Sequence, residues 1–176
     1  MKDNNNGLYT LAMLVSDHAG VLQRIVGLFS RRGYNIVSLS VGPTYQKGTS
    51  RITVVTEGTT AVVRQIQNQV EKLIDVFRVI ILDNETSIQS ELILAKISTK
   101  DNTRSKVLEI GEIFKAKILD VTPETITFQL TGGTNKIQSF MTLVKTYGVV
   151  EMARTGLTAM ERGALPLSLH PYDEDE

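Results

Sequence analysis

The 176-residue sequence has no cysteine and no tryptophan, only two histidines and four prolines, and no excess of either charge. Without cysteine there are no disulfides, no thiolate zinc site and no cysteine nucleophile. The histidines, at positions 18 and 170, are far apart and lack the spacing of a metal-ligand pair. Nineteen basic residues balance nineteen acidic ones, whereas a general polyanion binder carries a basic surplus, so nucleic acid is not an expected partner. No apolar run approaches the roughly 20 residues of a membrane span. The first residues, Met1 to Asn6, are polar and do not read as a secretory signal. The expectation is a soluble intracellular protein with no membrane partner. Neither a Walker phosphate loop nor a GxGxxG element is present. What remains, 41% apolar and 22% charged residues, describes ordinary globular sequence, long enough for one large domain or two small ones.

The apolar pattern divides into two similar halves. Leu8 to Val15 reads as a buried strand. Asp17 offers an N-cap for a helix carrying Val21, Leu22, Ile25, Val26, Leu28 and Phe29, with Gly33 as its C-cap. Val37, Leu39 and Val41 alternate with serines in a strand. Pro43 to Gly48 turns the chain into a strand containing Ile52 and Val54. Thr59 or Thr60 then caps a helix with Val62, Val63, Ile66, Val70 and Leu73 on one face, and Val76 to Leu82 is a strand. The order is βαββαβ. It recurs with Leu92 to Ile97 as strand, a helix capped by Thr103, and Ile118 to Val121 as strand. A Thr122-Pro123-Glu124 turn, a strand with Ile126, Phe128 and Leu130, a helix after Gly132-Gly133, and a last strand over Val149 to Leu157 complete it. Both halves therefore predict an α+β fold of two ferredoxin-like units in tandem. The expected domains are 1–83, 84–163 with the break in the polar stretch Asp83 to Gln89, and a mobile acidic tail over 164–176.

No catalytic constellation accompanies this pattern: there is no nucleophile with its base, no metal set and no pair of differently placed carboxylates. His18 has no local partner and reads as an exposed loop residue. The local grouping that stands out is Asp17-His18-Ala19-Gly20-Val21-Leu22, between the first strand and first helix. A free amino acid needs an anion for its ammonium, N–H donors for its carboxylate and a pocket for its side chain. Asp17 can supply the first, and the amides around Gly20, Val21 and Leu22 at the start of a helix the second. Gly20, lacking Cβ, permits close approach. Asn35, with both donor and acceptor, and Ile36 form the second piece, with Ile36 and Val21 as walls. Each residue alone also serves an ordinary structural purpose: Asp17 as a cap, Gly20 as an early-helix glycine, Asn35 in a turn.

The Asp17-x-x-Gly20-Val21-Leu22 loop resembles the ligand loop of ACT domains, which are ferredoxin-like amino-acid sensors. The chain as a whole, over roughly residues 8–163, resembles the small regulatory subunits of acetolactate synthase (acetohydroxyacid synthase). The resemblance is carried by Arg24-Ile25-Val26-Gly27-Leu28-Phe29-Ser30-Arg31-Arg32-Gly33-Tyr34-Asn35-Ile36, by Glu91 to Lys96, by Ile113 to Pro123 and by Glu151 to Gly156. It implies a non-catalytic protein that stimulates a large catalytic subunit and confers feedback inhibition by valine or a related branched-chain amino acid. Thiamine diphosphate, FAD and magnesium are expected in the large subunit, none in this chain. It also implies a homodimer through the ACT domains, with effector sites between two chains. Asp17, Gly20, Val21 and Leu22 would come from one chain, Asn35 and Ile36 from the other. Domain 1–83 would bind effector and domain 84–163 would activate the large subunit. Many bacterial members carry Asn where this chain has Asp17. The alternative is a free-standing amino-acid sensor acting on another partner. The expected compartment is the bacterial cytoplasm, or the stroma of a plastid that encodes the chain.

Overall fold

The computed structural model describes residues 6–169. His170, Pro171 and the run Asp173 to Glu176, which fall in the expected tail, lie outside the described residues. The chain folds as two units. One comprises the residues up to Ile88 together with those from Leu157 onward; the other is Gln89–Gly156.

The first unit contains β1 (Gly7–Ser16), α1 (Val21–Arg32), β2 (Ile36–Pro43), β3 (Thr49–Gly58), α2 (Thr60–Glu71) and β4 (Val76–Leu82). The strands form one antiparallel sheet in the order β2-β3-β1-β4, which leaves β2 and β4 as edges. Strand alternation sends Leu11, Met13 and Val15 of β1 and Ile52 and Val54 of β3 to one face. There they meet Val21, Ile25 and Phe29 of α1 and Val63, Ile66 and Val70 of α2, residues spaced three and four apart as a helix stripe requires. Helix α1 ends at Gly33, whose φ of 70° is left-handed; the Tyr34 N–H closes the turn on the Phe29 carbonyl at 2.9 Å. Thr59 caps α2, its hydroxyl accepting from the Val62 N–H.

The opposite face of this sheet is also apolar. Ala12, Val55 and Leu82 are covered by Leu157, Ala159 and Leu167. This corrects two expectations. The last strand does not run from Val149 to Leu157: it ends at Arg154, and a separate strand, β9, spans Thr158–Glu161. Nor do residues 157–169 stay with the second half or hang free. Leu157 donates its N–H to the Ser38 hydroxyl at 2.9 Å, and Leu167, in a single 3-10 turn, is buried. Three small or branched apolar side chains spaced along a turn-rich segment lack any clear period, and that is why the sequence pattern did not reveal them.

The second unit contains β5 (Ser87–Ser98), whose first residues belong to the first unit, then α3 (Arg104–Ile113), β6 (Lys117–Val121), β7 (Thr125–Gly132), α4 (Thr134–Val144) and β8 (Val149–Arg154). The strands are ordered β6-β7-β5-β8, again antiparallel. Its core joins Ile93, Ala95 and Ile97 of β5 with Ile126, Phe128 and Leu130 of β7 and Ile137, Phe140 and Val144 of α4. Phe128 and Phe140 meet edge to face with centroids 5.9 Å apart. Two ferredoxin-like βαββαβ units in tandem, an α+β fold, is thus the architecture.

Candidate functional site

The candidate loop leaves the C-terminal end of β1. The Asp17 N–H donates to the Gly48 carbonyl at 2.9 Å, and its Oδ1 accepts from the Ser50 hydroxyl at 3.1 Å. Asp17 therefore braces the loop against the start of β3 and does not cap α1 as the sequence suggests. The cap residue is Gly20, with φ 91° and no side-chain hydrogen bond to the helix. That left-handed backbone is one an L side chain adopts with difficulty. It leaves the first turn of α1 without a side-chain cap, so its N–H groups are served by backbone or solvent.

The other members divide between core and surface. Val21 is buried among the first unit's core residues, so its side chain packs inward and its part in any ligand contact is through the backbone. Leu22 is exposed on α1. Asn35 is exposed, with its carbonyl accepting from the Thr56 hydroxyl at 2.6 Å. Ile36 is half-buried against the core.

Strand register shows that the two pieces do not meet within one chain. Ser16 pairs with Thr49, and Pro43 with Ser50, at one end of the sheet. Ile36 and Tyr9 both pair with Thr56 at the other end. Thr49 to Thr56 is seven residue steps, about 23 Å along an extended strand. The Asp17–Leu22 loop and the Asn35–Ile36 strand start therefore lie at opposite ends of the sheet.

A cluster absent from the sequence reading lies beside the loop. His18 does have a partner: its Nε2 is 2.9 Å from Asp75 Oδ1, and its Nδ1 is 3.1 Å from the Ala19 carbonyl. Arg24, one turn into α1, places Nη2 at 2.5 Å from Asp75 Oδ2. Asp75 sits in the turn between α2 and β4 and is largely buried, while His18 and Arg24 are about half exposed. A second guanidinium nitrogen of Arg24 lies beside Gly20, 3.7 Å from where a Cβ would stand. One carboxylate thus holds a cation next to the uncapped helix start. The order βαββαβ places the β1–α1 and α2–β4 connections at the same end of the sheet, because β4 runs antiparallel to β1. Topology could have drawn attention to Asp75; periodicity could not.

Among the described residues, no group of three or more His, Cys, Asp or Glu side chains is placed to hold a metal ion, and no helix is long and apolar enough to cross a membrane.

A family model described as AHAS small subunit-like ACT domain matches residues 11–78, and one described as small subunit of acetolactate synthase matches residues 90–163. The chain belongs to the acetolactate synthase small-subunit family. The acetolactate synthase small subunit of Mycobacterium bovis is 39% identical over 155 residues, 88% of this chain and 92% of that one. That of Mycolicibacterium smegmatis is 38% identical over 160 residues, covering 91% and 94%. The crystal structure of the acetolactate synthase small subunit from Thermotoga maritima superposes with a TM-score of 0.84 at 34% identity, covering 90% of this chain and 99% of that one. In this small-subunit chain the first unit accordingly contains the ACT domain, and a regulatory place in branched-chain amino-acid biosynthesis fits the family.

Proposed function

We propose that two copies of this chain pair through β2 and that a branched-chain amino acid, valine above all, binds where the first units meet. The observation that carries this reading is the separation of the candidate residues. Asp17, Gly20, Val21 and Leu22 stand at one end of the sheet and Asn35 and Ile36 at the other, while the strand bearing the second pair is an open edge. An open edge is a template for a further strand. Antiparallel pairing of β2 with its copy around a twofold axis sets the beginning of one β2 beside the end of the other. That brings each Asn35–Ile36 to the partner sheet's loop-bearing end. The effector's carboxylate would face the α1 amides at Gly20 and the Arg24 guanidinium, and its ammonium would face Asp17.

In this reading the chain has no catalytic residues. The first unit binds effector, and the second passes its state to the large catalytic subunit, which holds thiamine diphosphate, FAD and magnesium. The small subunit raises large-subunit activity and makes it sensitive to valine. Valine shifts the complex only by its different affinity for two arrangements.

Gly20→Asp in the reconstituted complex tests the site. The new carboxylate takes the position of the effector's own, next to Arg24. Stimulation should persist, and half-inhibition should need about tenfold more valine or beyond, the effect of losing about 1.4 kcal/mol of binding. An unchanged inhibition curve would show the site to be elsewhere.

A further inference from the structure

The covered back face of the first sheet borders an open pocket of about 450 Å³ that shares no lining residue with the Asp17–Leu22 loop. That volume falls in the range of small-molecule sites, roughly 300–1,000 Å³. Its floor is Leu14 of β1 and Ile80 of β4, and its walls include Pro43, Met160 and Leu165. Into this apolar lining Arg51 of β3 brings a guanidinium. Its Nη2 donates to the Ala159 carbonyl at 2.8 Å, and its Nε is buried with no hydrogen-bond partner. Burial lowers the Arg51 pKa. A partly buried guanidinium beside an apolar lining favours an anion next to it. Glu161 lines the same pocket and is engaged in an interaction of its own.

We propose that this pocket is a second ligand site, taking a small monocarboxylate with a branched or straight aliphatic body, its carboxylate on Arg51. The acid group fits a planar fork of N–H donors, two of which can meet both oxygens. The aliphatic body fits the Leu14, Ile80 and Met160 surface. An uncharged alcohol of the same shape brings no charge to the Arg51 guanidinium. The segment from Gly163 to Ser168 closes one side of the pocket, so ligand binding ties the C-terminal segment to the sheet.

The probe is isovalerate, titrated calorimetrically into the full chain, with 3-methylbutan-1-ol as the uncharged control. Isovalerate is expected to saturate below about 10 mM, a range that millimolar affinity reaches, and the alcohol is not. Arg51→Met should weaken isovalerate at least tenfold, and Arg51→Lys less. Saturating valine should leave the isovalerate isotherm unchanged, which separates this site from the one proposed above. If Arg51→Met does not fold, Leu165→Glu replaces it. Leu165 is a half-exposed wall residue, and a carboxylate there should expel isovalerate to the same degree. No binding of isovalerate, equal binding by the variants, equal binding of the alcohol, or displacement by valine would each overturn the proposal.

Discussion

Glu91 is 5% exposed at its side chain and lies 2.5 Å from Arg154 Nε and 2.5 Å from the Thr134 hydroxyl. Burial acts to raise its pKa, but the hydrogen bonds from Arg154 and Thr134 and the charge of Arg154 outweigh it, and the net shift is downward from 4.5. A carboxyl with a depressed native pKa stabilises the fold fully above its unfolded value and loses that contribution as pH falls through the native value. Glu91→Gln should therefore lower unfolding stability by about 3 kcal/mol at pH 7, the usual cost of breaking a buried pair from one side. The gap between variant and parent should narrow as pH falls below about 4.5. Urea unfolding at pH 7 and pH 3 measures both, and a pH-independent gap would mean that packing rather than charge is what the substitution removes. At the same scale, Asp17 does not cap α1 as its residue type suggests. Its carboxyl type suits an N-cap, but the cap position lies three residues further on, at Gly20, and the Ser50 hydroxyl donates to its Oδ1.

The decisive feature of β2 is what it lacks, a neighbour on its outer side. Val37 and Val41 are about half exposed on it, at 51% and 46%, where an unprotected edge strand normally carries lysine or proline. Val37→Lys with Val41→Lys should leave the monomer folded, since neither side chain is in the core. Under the pairing proposed above, the substituted chain should sediment as a monomer where the parent sediments as a dimer, and valine binding should be lost with the pairing. A doubly substituted chain that still sedimented as a dimer would refute pairing through β2. The alternation that identified β2 as a strand was plain in the sequence. That its outer side is an open edge was not, because strand order depends on which strands meet in three dimensions.

At the level of the whole chain, the segment from Leu157 to Leu169 returns to the first unit and closes its second face. Leu167→Ala removes one of the three side chains it buries there, and should cost about 2 kcal/mol, the low end for a buried leucine in a segment able to relax. Urea unfolding reports this. An unchanged midpoint would mean that the segment is not held against Ala12, Val55 and Leu82. The sequence alone determined the two βαββαβ units and most of their core, because apolar residues recurring at the strand and helix periods decide which face turns inward. Composition, in turn, limited the available chemistry. Only the tertiary structure decided where the C-terminal segment goes, that the candidate residues stand at opposite ends of one sheet, that Asp75 reaches His18 and Arg24, and that Arg51 lines a pocket with Leu14, Ile80 and Met160. The physical reason is that such contacts join residues tens of positions apart, through register and connection geometry that no local period encodes.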